Sequence, residues 1–312
     1  MEAILNPALL LFLSGILIGI TFKLTLPNSI SKYLGYYLLL SLGLKGGLSL
    51  QENGFINEVI SVLSLGVIFA LLIPAVAYFY LKNLLNTDDA AALSGTYGSV
   101  SAVTFVTAIA YLSTTSQDFD NYMSAVLVVM EFPAIFMALY LVTHNKNDNN
   151  NNLKTIKTAF LEIPNIILIS SLFVGYFVSK KTLSNLDYLI VTIFDYLLYI
   201  FLFVMGTRVA KRIGELKGRG VSLIAFALLM PLIGSFISLL ASIYFDLSIG
   251  NATLLMVLTA SASYIAVPAV VKDAIPDANP AIYLGLSLGV TFPFNIIVGI
   301  PLYNELAKYF IG

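Results

Sequence analysis

Phe69-Ala-Leu-Leu-Ile-Pro74 and Phe226-Ala-Leu-Leu-Met-Pro231 are nearly the same six-residue phrase, written twice 157 residues apart. Three further pairs follow in the same order. Leu42-Gly43-Leu44-Lys45 corresponds to Met205-Gly206-Thr207-Arg208, 163 residues on. Gly98-Ser99-Val100-Ser101 corresponds to Ala260-Ser261-Ala262-Ser263 at an offset of 162. Glu131-Phe132-Pro133-Ala134 corresponds to Thr291-Phe292-Pro293-Phe294 at an offset of 160. One apolar match arises by chance, but four in order at a nearly constant offset indicate an internal duplication.

The surroundings of these phrases are strongly apolar. The chain has 312 residues, 59% hydrophobic and 11% charged, with a mean hydropathy of +0.92. An ordinary soluble domain carries about one quarter charged residues, so the expected medium is a membrane. Runs long enough to cross a ~30 Å hydrocarbon layer, about 20 residues each, are predicted at 8–26, 30–50, 57–81, 88–112 and 120–143. They resume at 160–179, 188–207, 220–245, 250–272 and 280–303. Their apolarity is continuous and does not alternate, which points to helices and away from a closed β-barrel. The expected fold is an all-α polytopic membrane protein, with ten transmembrane helices arranged as two inverted five-helix repeats. Residues 1–143 form the first repeat, 144–159 a polar cytoplasmic linker, and 160–312 the second. An odd number of helices per repeat inverts the second copy, a recurrent design of secondary transporters.

Charge sets the orientation. Of the 16 Lys and Arg, Lys45, Lys180, Lys181 and Lys308 lie at one set of predicted span ends and the other twelve at the opposite set. The richer side is expected to be cytoplasmic, with both termini extracytoplasmic and the protein in the plasma (inner) membrane. No basic region precedes the first apolar run, so that run is read as a retained helix and not a signal peptide. The net charge of −1 gives no reason to expect a nucleic-acid partner, and the absence of cysteine excludes thiol chemistry and Cys-ligated metals. The sole histidine, His144, is expected in a solvated polar loop.

The paired Ser-x-Ser elements are the leading candidates for chemistry. Residues two apart do not share a helical face, so their hydroxyls converge only where a helix is broken. Gly95 and Gly98 before the first pair, and Pro268 after the second, permit such breaks. A broken helix exposes amides that suit an anion and carbonyls that hold Na⁺. The candidate substrate-binding residues are therefore Gly98, Ser99, Ser101, Ser261 and Ser263. Small residues packing helix against helix are the alternative.

Glu131 is the carboxylate set most clearly within a span. An intramembrane acid costs about 2.5–3.5 kcal/mol at the bilayer centre and usually faces a partner, an ion or a cavity. Glu131 is thus a candidate for cation coupling, with a structural pairing to a hydroxyl or amide as the alternative. Thr104, the repeat mate Thr291, and Asn295 one turn beyond it complete the candidate cation-binding set. Asp195 is read as interfacial, Lys45 and Arg208 as snorkelling anchors, and Asn279-Pro280 as a helix start.

Gly43-Leu-Lys-Gly-Gly47, Gly98-Ser-Val-Ser101, Glu131-Phe-Pro133, Ala260-Ser-Ala-Ser263 and Ile275-Pro-Asp-Ala-Asn-Pro280 resemble the sodium-dependent bicarbonate transporter family over most of the chain. The resemblance implies a ten-span homotrimer performing Na⁺-dependent symport of bicarbonate by an elevator-like motion. Spans 3–5 and 8–10 would move against a scaffold of spans 1, 2, 6 and 7. It places the anion near Ser99, Ser101, Ser261 and Ser263, and Na⁺ as coupling ion at Glu131, where the best-known members have aspartate. It implies no enzyme activity and no cofactor, and allows a PII-like regulator on the cytoplasmic side. This chain has Ser261-Ala-Ser263-Tyr264 where those members have Ser-Ser-Ser-Asp, and Ala102-Val103-Thr104 where they have Gly-Ser-Thr. Symport of another small monovalent anion or carboxylate, or cation exchange at Glu131, is the alternative function. A membrane-embedded enzyme is remoter, since no Ser–His dyad or paired intramembrane acids are in view.

Overall fold

The computed structural model describes residues 7–24, 26–146, 162–178, 193–215 and 220–312, and every regular element among them is helical. The first half comprises α1 (Pro7–Phe22), α2 (Asn28–Asn53), α3 (Asn57–Leu81), α4 (Thr87–Gly98), α5 (Ala102–Thr114) and α6 (Met123–Lys146). The second comprises α7 (Ile163–Phe177), α8 (Ile193–Glu215), α9 (Val221–Tyr244), α10 (Ile249–Ala260), α11 (Ala266–Ala274) and α12 (Pro280–Ile311). Among the described residues, six helical stretches are long and apolar enough to cross a membrane: α3, α4 with α5, α6, α8, α9 and α12. Three shorter helices, α1, α7 and α10, are also apolar. Helix is the economical answer to such sequences, because it satisfies its own backbone where no water is present.

The predicted spans at 88–112 and 250–272 are each two helices, separated at Ser99–Ser101 and Ser261–Ile265. α8 runs beyond its expected end at 207 to Glu215, so Arg208, Lys211 and Arg212, expected at the span end, lie on the helix itself. Nothing between 208 and 213 breaks a helix, and long basic side chains can reach polar surroundings from a helical turn. His144 is likewise helical, in the last turn of α6. Its side chain and the linker from 147 to 159 lie outside the described residues. Asn279 caps α12 as expected, accepting from the Ala281 amide at 3.0 Å, with Pro280 in the first turn.

The duplicated phrase behaves identically in both places. Phe69, Ala70, Ile73 and Pro74 are buried while Leu71 and Leu72 face outward. Phe226, Ala227, Met230 and Pro231 are buried while Leu228 and Leu229 face outward. A one-turn spacing of inward residues on an apolar helix gives this pattern.

Two helix pairs pack most closely, α1 on α8 and α2 on α7. Both contacts are built on glycine. A Cβ on Gly15 would collide with the Phe203 carbonyl oxygen, and one on Gly206 with that of Phe12. In the other pair, Gly47 meets the Leu172 carbonyl and Gly175 that of Leu44. Helices in lipid gain no hydrophobic drive from meeting each other, so close backbone approach through small residues carries the association. A second group of contacts joins α3, α4 and α6, and a third joins α9, α10 and α12.

Polar ties cross between the halves at helix starts. Asp89, in the first turn of α4, accepts from the Asn279 amide ahead of α12 at 2.6 Å. Asn251, in the first turn of α10, accepts from the Asp120 amide ahead of α6 at 2.9 Å and donates to the Asp120 carboxylate at 2.8 Å. Tyr122 links Asn251, at 3.0 Å, to Glu58 of α3, at 2.7 Å. Asp89 and Asn251 are 162 residues apart, the offset of the serine pairs.

Candidate functional site

The first break begins at Gly98. A Cβ there would meet the ring of Pro74 at 2.5 Å, so the duplicated proline presses against the end of α4. The chain leaves the helix at Ser99 (φ −87°, ψ 163°) and is still extended at Ser101 (φ −101°, ψ 105°). Ser101 then caps α5, its Oγ accepting from the Thr104 amide at 3.2 Å and the Thr104 hydroxyl at 2.9 Å. The second break opens at Ser261 (φ −83°, ψ 164°), and Ser263 Oγ accepts from the Val267 amide, in the first turn of α11, at 3.4 Å.

The two breaks cross in contact. The Ser101 amide donates to Ser261 Oγ at 2.9 Å, and the Ser263 amide donates to the Thr96 carbonyl at 2.7 Å. The second break supplies the acceptor for the Ser101 amide, and the last turn of α4, just ahead of the first break, supplies the acceptor for the Ser263 amide. Ser99, Ser101, Ser261 and Ser263 are all buried.

Glu131 reaches this crossing from α6. Its carboxylate accepts from Ser99 Oγ at 2.9 Å, and the Val100 backbone amide also faces it. It is buried. Ser101, Glu131, Ser263 and Tyr264 together line one cavity, closed on the opposite side by Leu39 of α2 and Asn165 of α7. The cavity thus lies between the crossed breaks and the α2–α7 pair.

The predicted site residues divide into three groups. Ser101, Ser263 and Glu131 line the cavity itself. Ser99, Ser261 and Thr104 stand directly behind them through the hydrogen bonds just given, and Gly98 shapes the first break against Pro74. Thr291 and Asn295 are not brought into this cavity. The Thr291 hydroxyl donates to the Ala227 carbonyl at 2.7 Å and accepts from the Tyr97 hydroxyl at 2.5 Å. The Asn295 amide donates to the Ala260 carbonyl at 2.8 Å, and its oxygen accepts from Tyr303 at 2.8 Å. Both residues flank Phe292-Pro293-Phe294, where α12 loosens into π-helical turns at Ser287–Thr291 and Asn295–Gly299. Proline cannot donate to the helical ladder, and such wide turns absorb the defect. Thr291 and Asn295 therefore brace α9 and the end of α10.

Asn165 is a cavity-lining residue that sequence reasoning passed over. Its signal was a lone amide inside an apolar run, Ile163-Pro164-Asn165-Ile166-Ile167, which in a membrane marks a partner or a cavity. Among the described residues, no group of three or more His, Cys, Asp or Glu side chains could hold a metal ion.

The arrangement suits a small anion. Ser101 and Ser263 use their oxygens as acceptors toward the starts of α5 and α11, which leaves their hydroxyl hydrogens for a ligand. Both helix starts carry partial positive charge toward the cavity. Glu131, across the same space, offers a carboxylate to a cation.

The family model for the Na⁺-dependent bicarbonate transporter superfamily matches residues 7–308, nearly the whole chain. No curated protein matches it.

Proposed function

The chain belongs to the Na⁺-dependent bicarbonate transporter superfamily, whose members are membrane transporters, and we propose that it performs Na⁺-driven symport of bicarbonate by an elevator-like alternating-access motion. The observation that carries this reading is the shared cavity of Ser101, Ser263 and Glu131 at the crossing of two broken helices. The anion sits against the hydroxyls and amides at the starts of α5 and α11. Na⁺ sits at Glu131, with Ser99 and Thr104 behind it.

Charge balance makes the two cargoes interdependent. An anion and a carboxylate ~4–6 Å apart repel by about 3–4 kcal/mol at an effective dielectric near 20. That is several hundred-fold in affinity, so the anion binds well only when a cation neutralises Glu131. The inward Na⁺ gradient then drives uptake, and the membrane potential adds about 2.3 kcal/mol per 100 mV for each net charge moved.

The packing supports a division into moving and static parts. The glycine-paired α1–α8 and α2–α7 contacts form the scaffold, and the crossed breaks with α3, α6, α9 and α12 form the moving body. The ties from Asp89 to Asn279 and from Asn251 to Asp120 lock that body across the halves. Their shared offset, and the paired breaks, favour ten crossings in two inverted repeats. A homotrimer in the plasma membrane with extracytoplasmic termini completes the proposal.

The test is labelled bicarbonate uptake into proteoliposomes with and without an inward Na⁺ gradient, at a pH where CO₂ leakage is small. Na⁺-dependent uptake that collapses in Ser101→Leu and in Ser263→Leu is the expected result. Folded protein with uptake equal to empty liposomes overturns bicarbonate as cargo.

A further inference from the structure

Tyr264 stands in the second break, about nine-tenths buried, with its ring edge-on to Phe292 at 5.3 Å between centroids. The hydroxyl is closed off from solvent and, among the described residues, makes no hydrogen bond of good geometry, the Ser101 side chain being the hydrogen-bonding group nearest to it. The residue nevertheless lines the same cavity as Ser101 and Ser263, and Ser101 is the polar side chain beside the phenol. Buried hydroxyls are nearly always paired, because an unpaired one forfeits its hydration without recompense. An unpaired donor on a residue of the cavity wall is available to a ligand once the wall gives slightly.

The surroundings decide the ligand's charge. The starts of α5 and α11 turn partial positive charge toward the cavity. Arg208 of α8 is the cation whose charge reaches Tyr264. Its Nη2 bonds Asn28 Oδ1 at 2.8 Å, while its buried Nε makes no hydrogen bond among the described residues. Ser101, Ser263 and Tyr264 thus present three hydroxyl donors under a positive field, and a small oxyanion offers several acceptor oxygens to match them.

We propose that the Tyr264 hydroxyl donates directly to the transported anion and sets the preference for small oxyanions over halide. The proposal rests on the reading of this cavity as an anion site and adds the residue that selects the anion. Tyr264→Phe is the decisive variant, because it keeps the ring against Phe292 and removes only the hydroxyl.

The experiment pairs two readouts on purified wild type and Tyr264→Phe at constant Na⁺. The first is thermal stability with bicarbonate, formate or chloride added, and the second is the concentration dependence of Na⁺-driven bicarbonate uptake. Bicarbonate and formate, but not chloride, should raise the wild-type Tm. In Tyr264→Phe that rise should vanish and the apparent KM should increase about tenfold or more. Its Tm without anion should equal or exceed wild type, since a purely structural hydroxyl would lower it on removal.

Unchanged KM and an unchanged anion-induced Tm rise in Tyr264→Phe overturn the proposal, while leaving Na⁺-driven uptake intact. A Tm drop with normal anion binding also overturns it, by assigning the hydroxyl to packing. Loss of the anion-induced rise in a protein whose wild type shows no Na⁺-driven uptake upholds the hydroxyl's contact with the bound anion and removes the symport reading. A wild type that no anion stabilises sinks the proposal, and the uptake assay then judges the transport reading separately.

Discussion

Ser101 and Ser261, 160 residues apart, are joined by a backbone amide donating to a side-chain hydroxyl at 2.9 Å. This bond uses an amide that the first break frees from helix pairing, and its acceptor comes from the second break. The two interruptions are therefore tied together in a region where unpaired amides are expensive.

Ser261→Ala removes that acceptor and leaves the Ser101 amide buried and unpaired. The expected loss is about 1–3 kcal/mol, seen as a Tm lower by several degrees in detergent, together with weaker bicarbonate uptake. A Tm equal to wild type would mean that the crossing does not depend on this bond.

Glu131→Gln keeps the shape and the contact with Ser99 but removes the charge. Uptake should fall at least about tenfold and lose its response to Na⁺, because the anion no longer needs a cation beside it and Na⁺ no longer has its carboxylate. Thr291→Val should instead lower stability while leaving Na⁺ dependence in place, since its hydroxyl is spent on Ala227 and Tyr97. The Na⁺ concentration dependence of initial uptake rates, measured for both variants, separates the two roles.

Gly47→Ala places a methyl group against the Leu172 carbonyl and the Gly175 backbone. Overpacking of this kind costs about 1–3 kcal/mol, and the α2–α7 pair must spread to relieve it. Gly220→Ala is the matched control, because nothing lies within 4 Å of the added carbon. Comparable Tm values for the two variants would contradict a glycine-dependent scaffold.

Asn251→Ala breaks the tie between the start of α10 and the loop ahead of α6. A double-mutant cycle with Asp120→Ala should give a coupling of about 0.5–3 kcal/mol in thermal unfolding. The single variant should also slow transport, if the two halves of the moving body must travel together. Additive effects in the cycle would show that the hydrogen bonds at 2.8 and 2.9 Å contribute no joint stability.

Much of the helical plan was legible in the residues. The runs that became α3 and α9 begin and end within a few residues of expectation, because bilayer thickness fixes their length, and Asn279-Pro280 marks the start of α12, which then runs past its expected end at 303 to Ile311. The break at Ser99–Ser101 was also legible, from glycines ahead of a Ser-x-Ser that no intact helix could use. The overrun of α8 past 207 was not, because hydropathy stops at Arg208 while helix propensity continues.

What the sequence determined alone was the apolar, helical character of the chain, the duplicated phrases along it, and the places where two helices had to be interrupted. These depend on local composition and on a repeat visible along one chain. Only the tertiary structure decided that the two breaks cross and that Glu131 pairs with Ser99, apart from Thr291 and Asn295. It also placed Asn165 and Tyr264 in the cavity wall. Each of those facts depends on which helix faces which, and helices that are apolar all round carry almost no sign of their facing. Lipid and protein interior are equally apolar, so the choice is made by close backbone approach at glycines and by a few buried hydrogen bonds between distant residues.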